Sequence, residues 1–237
     1  MEKTPLTAVA LLSSGLDSSV ALQLALRNGW RIACAITFDY GQRAAAKEAE
    51  HAARVSDHLG VPHRKLELPW FRDLSSASAL LKSSTGMPSP RLGELNDAGF
   101  TEQSARAVWV PNRNGVLIEI ASCLAEDLGA QAVIVGFNRE EAATFPDNSV
   151  AYLEAITKAL YFSTSNHVKV LSPTAEMDKG DLVKVAVESR FPFELLWSCY
   201  ESGPRMCGRC ESCMRLKRAL ANQGVKRDAL FANPCLD

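Results

Sequence analysis

The chain has 237 residues, 47% hydrophobic and 22% charged, and 26 Lys+Arg against 27 Asp+Glu leave a formal charge of −1. This composition suits one globular domain with an appendage and excludes intrinsic disorder. It also argues against a protein whose main work is coating nucleic acid. No apolar run approaches the roughly 20 residues of a membrane helix, and nothing in residues 1–5 reads as a signal segment, so the cytoplasm is the expected location.

Short apolar runs alternate with helix-period segments, the pattern of successive βαβ units. Strands are predicted at 8–12, 32–38, 64–68, 132–137 and 168–171, with helices at 17–27, 43–59, 114–128, 150–161 and 178–189. Right-handed crossovers make such a series a doubly wound parallel sheet, whose ligands sit beyond the carboxyl ends of the strands. Residues that follow strands are therefore the functional candidates. Residues 69–108 are rich in Ser, Gly and Pro without strong periodicity, which reads as a mobile lid insert. An α/β domain is expected over 1–196, followed by a cysteine-bearing appendage over 197–237 with a basic helix starting near Glu211.

The first strand runs into Ser13-Ser14-Gly15-Leu16-Asp17-Ser18-Ser19 and then a helix. A small-residue turn at a helix N-terminus offers N–H groups and hydroxyls to an anion. It is neither a P-loop nor a Rossmann fingerprint, and the competing reading is an ordinary helix capped by Asp17 or Ser18. Asp39-Tyr40-Gly41-Gln42 follows the second strand, whose carboxyl end should face the ligand, with Gly41 allowing a turn that other residues resist; the competing reading is an Asx turn between strand and helix. Arg113, between Asn112 and Asn114, has the guanidinium geometry for a carboxylate or phosphate. Asn138, Glu141 and Asp147 follow the fourth strand, again at a carboxyl end, as candidate hydrogen-bond acceptors for a ligand; the competing reading of Glu141 is an acidic residue enriching a helix N-terminus. Lys179 opens a helix after the fifth strand.

Of seven cysteines, Cys199, Cys207, Cys210 and Cys213 fall within fifteen residues. Overlapping CxxC spacing supplies four thiolates for a tetrahedral Zn²⁺ with no open position, so the ion is structural, and Gly208 eases the backbone around it. Arg205, Arg209, Arg215, Lys217 and Arg218 are expected to offset the site's negative charge. Cys34 and Cys123 read as small core residues, and Cys235 lies in a tail expected to fray.

The loop from Ser13 to Ser18 resembles that of the PP-loop ATP pyrophosphatases, which cleave ATP between the α- and β-phosphates. Phe38-Asp39-Tyr40-Gly41-Gln42, Val110-Pro111-Asn112-Arg113-Asn114, Gly136-Phe137-Asn138, Phe145-Pro146-Asp147 and Trp197-Ser198-Cys199-Tyr200 extend the resemblance along nearly the whole chain, to the 7-cyano-7-deazaguanine synthase (QueC) family within that superfamily. The resemblance implies an ATP-dependent ligase that joins ammonia to 7-carboxy-7-deazaguanine through an acyl-adenylate and an amide, consuming two ATP per nitrile. It implies ATP at Leu12, Ser13, Ser14, Gly15, Leu16, Asp17, Ser18, Ser19, Asp39, Tyr40 and Gly41. The acceptor falls to Gln42, Asn112, Arg113, Asn138, Glu141 and Asp147, and catalysis to Asp17, Ser18, Arg113 and Lys179. Mg²⁺ on the phosphates, Zn²⁺ on the four cysteines and a homodimer complete the expectation. The chain departs from the family's pattern at Ser14, where Gly is usual and a side chain is expected to crowd the pyrophosphate, and around 139–149. The alternatives are another carboxylate acceptor, a PP-loop tRNA-thiolating enzyme, which needs cysteines outside the cluster, and a non-catalytic zinc module that binds nucleic acid.

Overall fold

Alternation of small apolar residues along the first strand sends Ala8 and Ala10 to one face of a sheet and Val9 to the other, as the two-residue side-chain period requires. A computed structural model of the chain describes residues 5–74, 78–81 and 86–235. In chain order the elements are β1 (Thr7–Leu11), α1 (Leu16–Arg27), β2 (Arg31–Asp39), α2 (Ala45–Leu59), β3 (His63–Glu67), the single turn α3 (Phe71–Leu74), α4 (Ala98–Val108) and α5 (Arg113–Asp127). Then follow β4 (Ala132–Ile134), the single turn α6 (Arg139–Ala142), α7 (Val150–Ser163), β5 (Lys169–Leu171), α8 (Lys179–Glu188) and α9 (Glu211–Asn222).

All strand pairs are parallel, in the order β3-β2-β1-β4-β5. The chain winds outward through β2 and β3 and returns to place β4 on the other side of β1, so the crevice above β1 and β4 is the switch point. A register shift between Ala8 and Val9 opposite Ile32 and Cys34 keeps β2 in phase with both cores: Ile32 and Ala35 join one face, Cys34 and Ile36 the other. Helices α1, α2, α8 and α9 contribute buried residues to the first face, α5 and α7 to the second.

The predicted strands and helices all form, with ends moved by up to three residues. Within 69–108, the segment read as aperiodic, the structure has a helix, α4, capped by Asp97 accepting from Phe100 N at 2.7 Å. The region expected as an appendage is packed into the sheet's own core: Cys199, Met206, Cys213, Leu216 and Leu220 share one buried cluster with Leu22 and Leu182. Among the described residues no helix is long and apolar enough to cross a membrane.

Candidate active site

A cavity of about 280 Å³ opens above the carboxyl ends of β1 and β4. Its floor is the 12–18 loop. Gly15 is the N-cap residue of α1 and provides no side-chain cap, so Asp17 and Ser18, which lie inside the first turn, are not capping residues. Ser13 and Ser18 hydroxyls are 3.1 Å apart on the cavity wall. The chain just after β4 comes hard against this loop at Gly136, where a Cβ would sit 2.5 Å from Ser18 N and 2.6 Å from Ser18 Cα. From behind, Trp197 N donates to Ser14 O at 2.9 Å and Leu16 N donates to Ser198 Oγ at 3.3 Å.

The charges of the site centre on Lys179, which is 7% exposed and donates to Asp17 Oδ2 at 2.5 Å and Glu141 Oε1 at 2.8 Å. Burial opposes the lysine's charge, but the two carboxylates prevail and hold it protonated above the usual lysine range. Burial also raises Asp17, to about 6, against the pull of Lys179. Glu141 feels the same burial, yet Lys179 outweighs it and keeps this carboxyl below its ordinary value. Asp17 Oδ1 is buried without a hydrogen-bond partner. Arg113 is the cation that lines the cavity among the described residues, and its Nη1 lies 3.4 Å from the Tyr40 hydroxyl.

Ten expected residues meet here: Leu12, Ser13, Gly15, Asp17, Ser18, Tyr40, Gln42, Arg113, Glu141 and Asp147. Others take different places. Ser14 is fully buried, with its hydroxyl on Ser13 O at 2.5 Å, so it does not crowd the cavity; its departure from Gly is felt instead in the backbone, at φ 61, a region that disfavours side chains. Leu16 and Ser19 point into the core. Asp39 leaves the cavity to pair with Lys65 at 2.9 Å, while Gly41, at φ 89, makes the turn expected of it. Gln42 spends its amide on Tyr40 N, Phe38 O and Glu48 Oε2, so it braces the turn. Asn112 opens onto a separate shallow groove with Trp70 and Tyr152. Asn138 Oδ1 caps α6 by accepting from Glu141 N at 2.9 Å, leaving Nδ2, a donor, as its unpaired atom. That reverses the acceptor role expected of it.

Sequence reasoning gave no role to Glu48 or Trp109. Glu48 lies between Lys47 and Glu50 on a polar helix and reads as solvated, yet it faces the cavity. Trp109 and Phe145 present nearly parallel rings there, 6.2 Å between centroids and 4° apart. Trp197 and Tyr200, noted only as part of a motif, also line it.

The four clustered cysteines bring their sulfurs within 4.8 Å of one another, with Cys207–Cys213 at 3.9 Å and Cys199–Cys210 at 4.0 Å. Four ligands about 2.3 Å from a tetrahedral ion would stand about 3.8 Å apart, so the set fits a metal ion. Cys199 Sγ accepts from the N–H groups of Glu201 and Cys207, and Cys207 Sγ from those of Arg209 and Cys210. Gly208 has φ 73, and a Cβ there would collide with Asn233 O. Three of the five basic residues expected to ring the thiols are engaged elsewhere. Arg215 and Arg218 both reach Glu140 Oε1, at 2.8 and 2.7 Å, and Lys217 binds the carbonyls of Gly208, Asn233 and Cys235, which ties down the tail expected to fray. Cys34 is buried, but Cys123 is exposed rather than a core residue. Neither they nor Cys235 line the cavity, which counts against the thiolating reading. The pairing of Arg215 and Arg218 likewise takes two phosphate contacts from the nucleic-acid reading.

The fold and the site define a doubly wound α/β protein with an anion-ready loop at the switch point of its parallel sheet. Residues 7–224 match the family described as Queuosine biosynthesis protein QueC, and the chain belongs to that family. It is 49% identical over 223 residues to a 7-cyano-7-deazaguanine synthase of Bdellovibrio bacteriovorus, covering 94% of this chain and 96% of that one. The enzymes of the same name from Methanosarcina mazei and Desulforamulus reducens are 47% and 44% identical, covering 92% and 93% of this chain and 95% and 96% of theirs.

Proposed function

We propose that this protein is an ATP-dependent ligase that converts 7-carboxy-7-deazaguanine and ammonia to 7-cyano-7-deazaguanine. The observation that carries the reading is the loop–lysine–carboxylate constellation at the switch point, in a chain nearly half identical to proteins bearing that enzyme's name. A carboxylate resists attack by ammonia because oxide is a poor leaving group. A carboxylate oxygen therefore attacks the α-phosphorus of ATP and pyrophosphate departs; ammonia adds to the acyl carbon, AMP leaves with the C–O electron pair, and one N–H proton is lost. A second ATP adenylates the amide oxygen, after which loss of N–H protons and departure of AMP give the nitrile.

Within this reading Ser13, Gly15 and Ser18 receive the phosphates and Tyr40 the adenosine side. Arg113 pairs with the developing negative charge. Lys179 acts through Asp17 and Glu141, fixing both carboxylates at the reacting groups. Asp17 Oδ1, buried and unpartnered, fits Mg²⁺, a hard cation that takes one or two carboxylates beside substrate phosphates; when bound, it shields phosphate charge. The four-thiol set fits Zn²⁺ held as a closed structural site, and seven unpaired thiols suit a reducing cytoplasm.

The test is incubation with 7-carboxy-7-deazaguanine, ammonium and Mg-ATP, reading AMP by chromatography and product by mass. A nitrile, two waters lighter than the ammonium carboxylate, is expected. No AMP release with this acid would overturn the assignment, and AMP release with a different carboxylate alone would move the enzyme to that acceptor.

A further inference from the structure

The carboxylates of Asp17, Glu48, Glu141 and Asp147 line the cavity. Lys179 bridges Asp17 and Glu141, and Asp147 lies among the Asn148 and Asn114 amides with Arg113 acting on it. Glu48 is not accounted for. It projects from the first turn of α2, and its Oε2 accepts from Gln42 Nε2 at 2.8 Å. Gln42 is in turn fixed by Phe38 O and Tyr40 N. No Lys, Arg or His of the described residues lies within ion-pair distance of Glu48.

An amide orients a carboxylate without cancelling its charge. Burial pushes Glu48 up to about 7; Arg113 opposes the shift, and Asp39 adds to it. Tyr40, on the turn facing it, stays protonated because burial raises its hydroxyl too. A desolvated carboxylate with no ion-pair partner in contact is satisfied by a proton or a small cation. The proposed reaction brings both in one species. Ammonium carries the charge that Glu48 lacks, and it must lose a proton before its nitrogen can attack.

We propose that Glu48 is the ammonium-binding carboxylate and the proton acceptor of the amination step, an inference that rests on the function proposed above. NH₄⁺ gives one proton to Glu48, leaving NH₃ with a free electron pair. That pair forms the C–N bond to the acyl carbon as the C–O bond to AMP breaks and AMP leaves with its electrons. The adding nitrogen sheds its extra proton to the departing phosphate, and Glu48 returns its own proton to solvent. In the second half of the cycle the adenylated amide loses one N–H proton to solvent and the other to Glu48 as AMP departs with the C–O electron pair. Gln42 is then a positioning residue, since it touches Glu48 and not the reacting atoms.

The experiment compares the wild type with Glu48→Gln, a neutral substitution of the same shape, as full chains on 7-carboxy-7-deazaguanine and Mg-ATP. One series varies ammonium. A second replaces it with hydroxylamine, which is largely neutral near pH 7 and traps the acyl-adenylate as a hydroxamate without a carboxylate to deprotonate it. The expected result is hydroxamate formation and KM for ATP close to wild type in the variant, while ammonium-dependent turnover falls on the order of 10²-fold and the KM for ammonium rises. Equal loss in both series, or a raised KM for ATP with ammonium dependence intact, overturns the assignment of Glu48. Absence of hydroxamate in the wild type overturns the proposed acceptor and this inference with it.

Discussion

Gly136, just after β4, packs against the 12–18 loop, and Gly136→Ala tests whether that contact sets the site. The added Cβ would lie 2.5 Å from Ser18 N and 2.7 Å from the Asp17 carbonyl carbon, and ordinary contact begins near 3.4 Å. Both obstacles are backbone, so β4 or the loop must move by about 0.9 Å, against packing that leaves little slack. Overpacking of this kind costs about 1–3 kcal/mol, which for a chain of this size lowers Tm by about 2–12 °C. Activity should suffer more: a 1 Å misplacement of catalytic groups costs roughly 10²-fold, and the displaced peptide joins Asp17, held by Lys179, to Ser18. Differential scanning fluorimetry and AMP release read the two effects. Gly93→Ala, where a Cβ meets nothing within 4 Å, is the control and should leave both unchanged. A Gly136→Ala protein with wild-type Tm and wild-type AMP release would refute the argument that this close approach shapes the loop.

Asp17→Ala and Ser18→Ala should each abolish AMP formation while leaving far-ultraviolet circular dichroism intact; neither residue caps α1, so retained turnover in both would remove the loop from the mechanism. Glu48→Gln should raise stability above pH 7 and have no effect below pH 4.5. The wild-type carboxyl is raised in the folded state, so the folded chain holds its proton longer and loses stability as pH climbs from 4.5 through about 7; at 1.36 kcal/mol per pH unit the gain reaches at most about 3 kcal/mol, less whatever cavity water screens, and a flat Tm difference across pH 4–8 counts against it. Native protein should hold one zinc per chain by elemental analysis, and Cys210→Ser should lose the metal together with the protease resistance of 197–235. Trp109→Ala should raise the KM for a flat aromatic acceptor about tenfold by removing one stacked ring, with the KM for ATP unmoved.

Where a residue's place follows from strand order, it was legible. Leu12, Ser13, Asp17 and Ser18 had to emerge at the sheet's carboxyl edge once β1 and α1 were recognised, and the cysteine spacing specified its own cluster. Side-chain direction on a helix was not legible in the same way. Glu140 and Glu141 are adjacent and chemically alike, yet one faces Arg215 and Arg218 and the other Lys179, a choice made by the pitch of a single turn. Asn138 was expected to meet substrate through its oxygen, but that atom closes the first turn of α6. Helix α4 escaped notice because its period is masked by Gly99 and by a polar face, and only burial of Ser104, Ala105 and Val108 against the rest of the chain reveals it.

The thiol cluster stands closer to the chemistry than a structural ornament would. Glu211 lies between Cys210 and Cys213 and accepts from Ser104 Oγ on α4 and from Arg215. Arg215 and Arg218 grip Glu140 on α6, and Arg218 also donates to Asn96 at 2.8 Å. One face of α9 thereby holds the segment that carries Trp109 and the turn that carries Glu141. Two residues before Cys199, Trp197 binds the back of the 12–18 loop at Ser14, and Ser198 meets Leu16. Three walls of the cavity are thus referenced to a single cross-linked knot of chain. Four soft ligands spaced for one tetrahedral ion set that knot with little freedom, and buried charge pairs transmit its position because breaking one strands the other. Rigid contacts bridge the thiol cluster and the cavity, which makes the order of that cluster a condition for the geometry of the site proposed above.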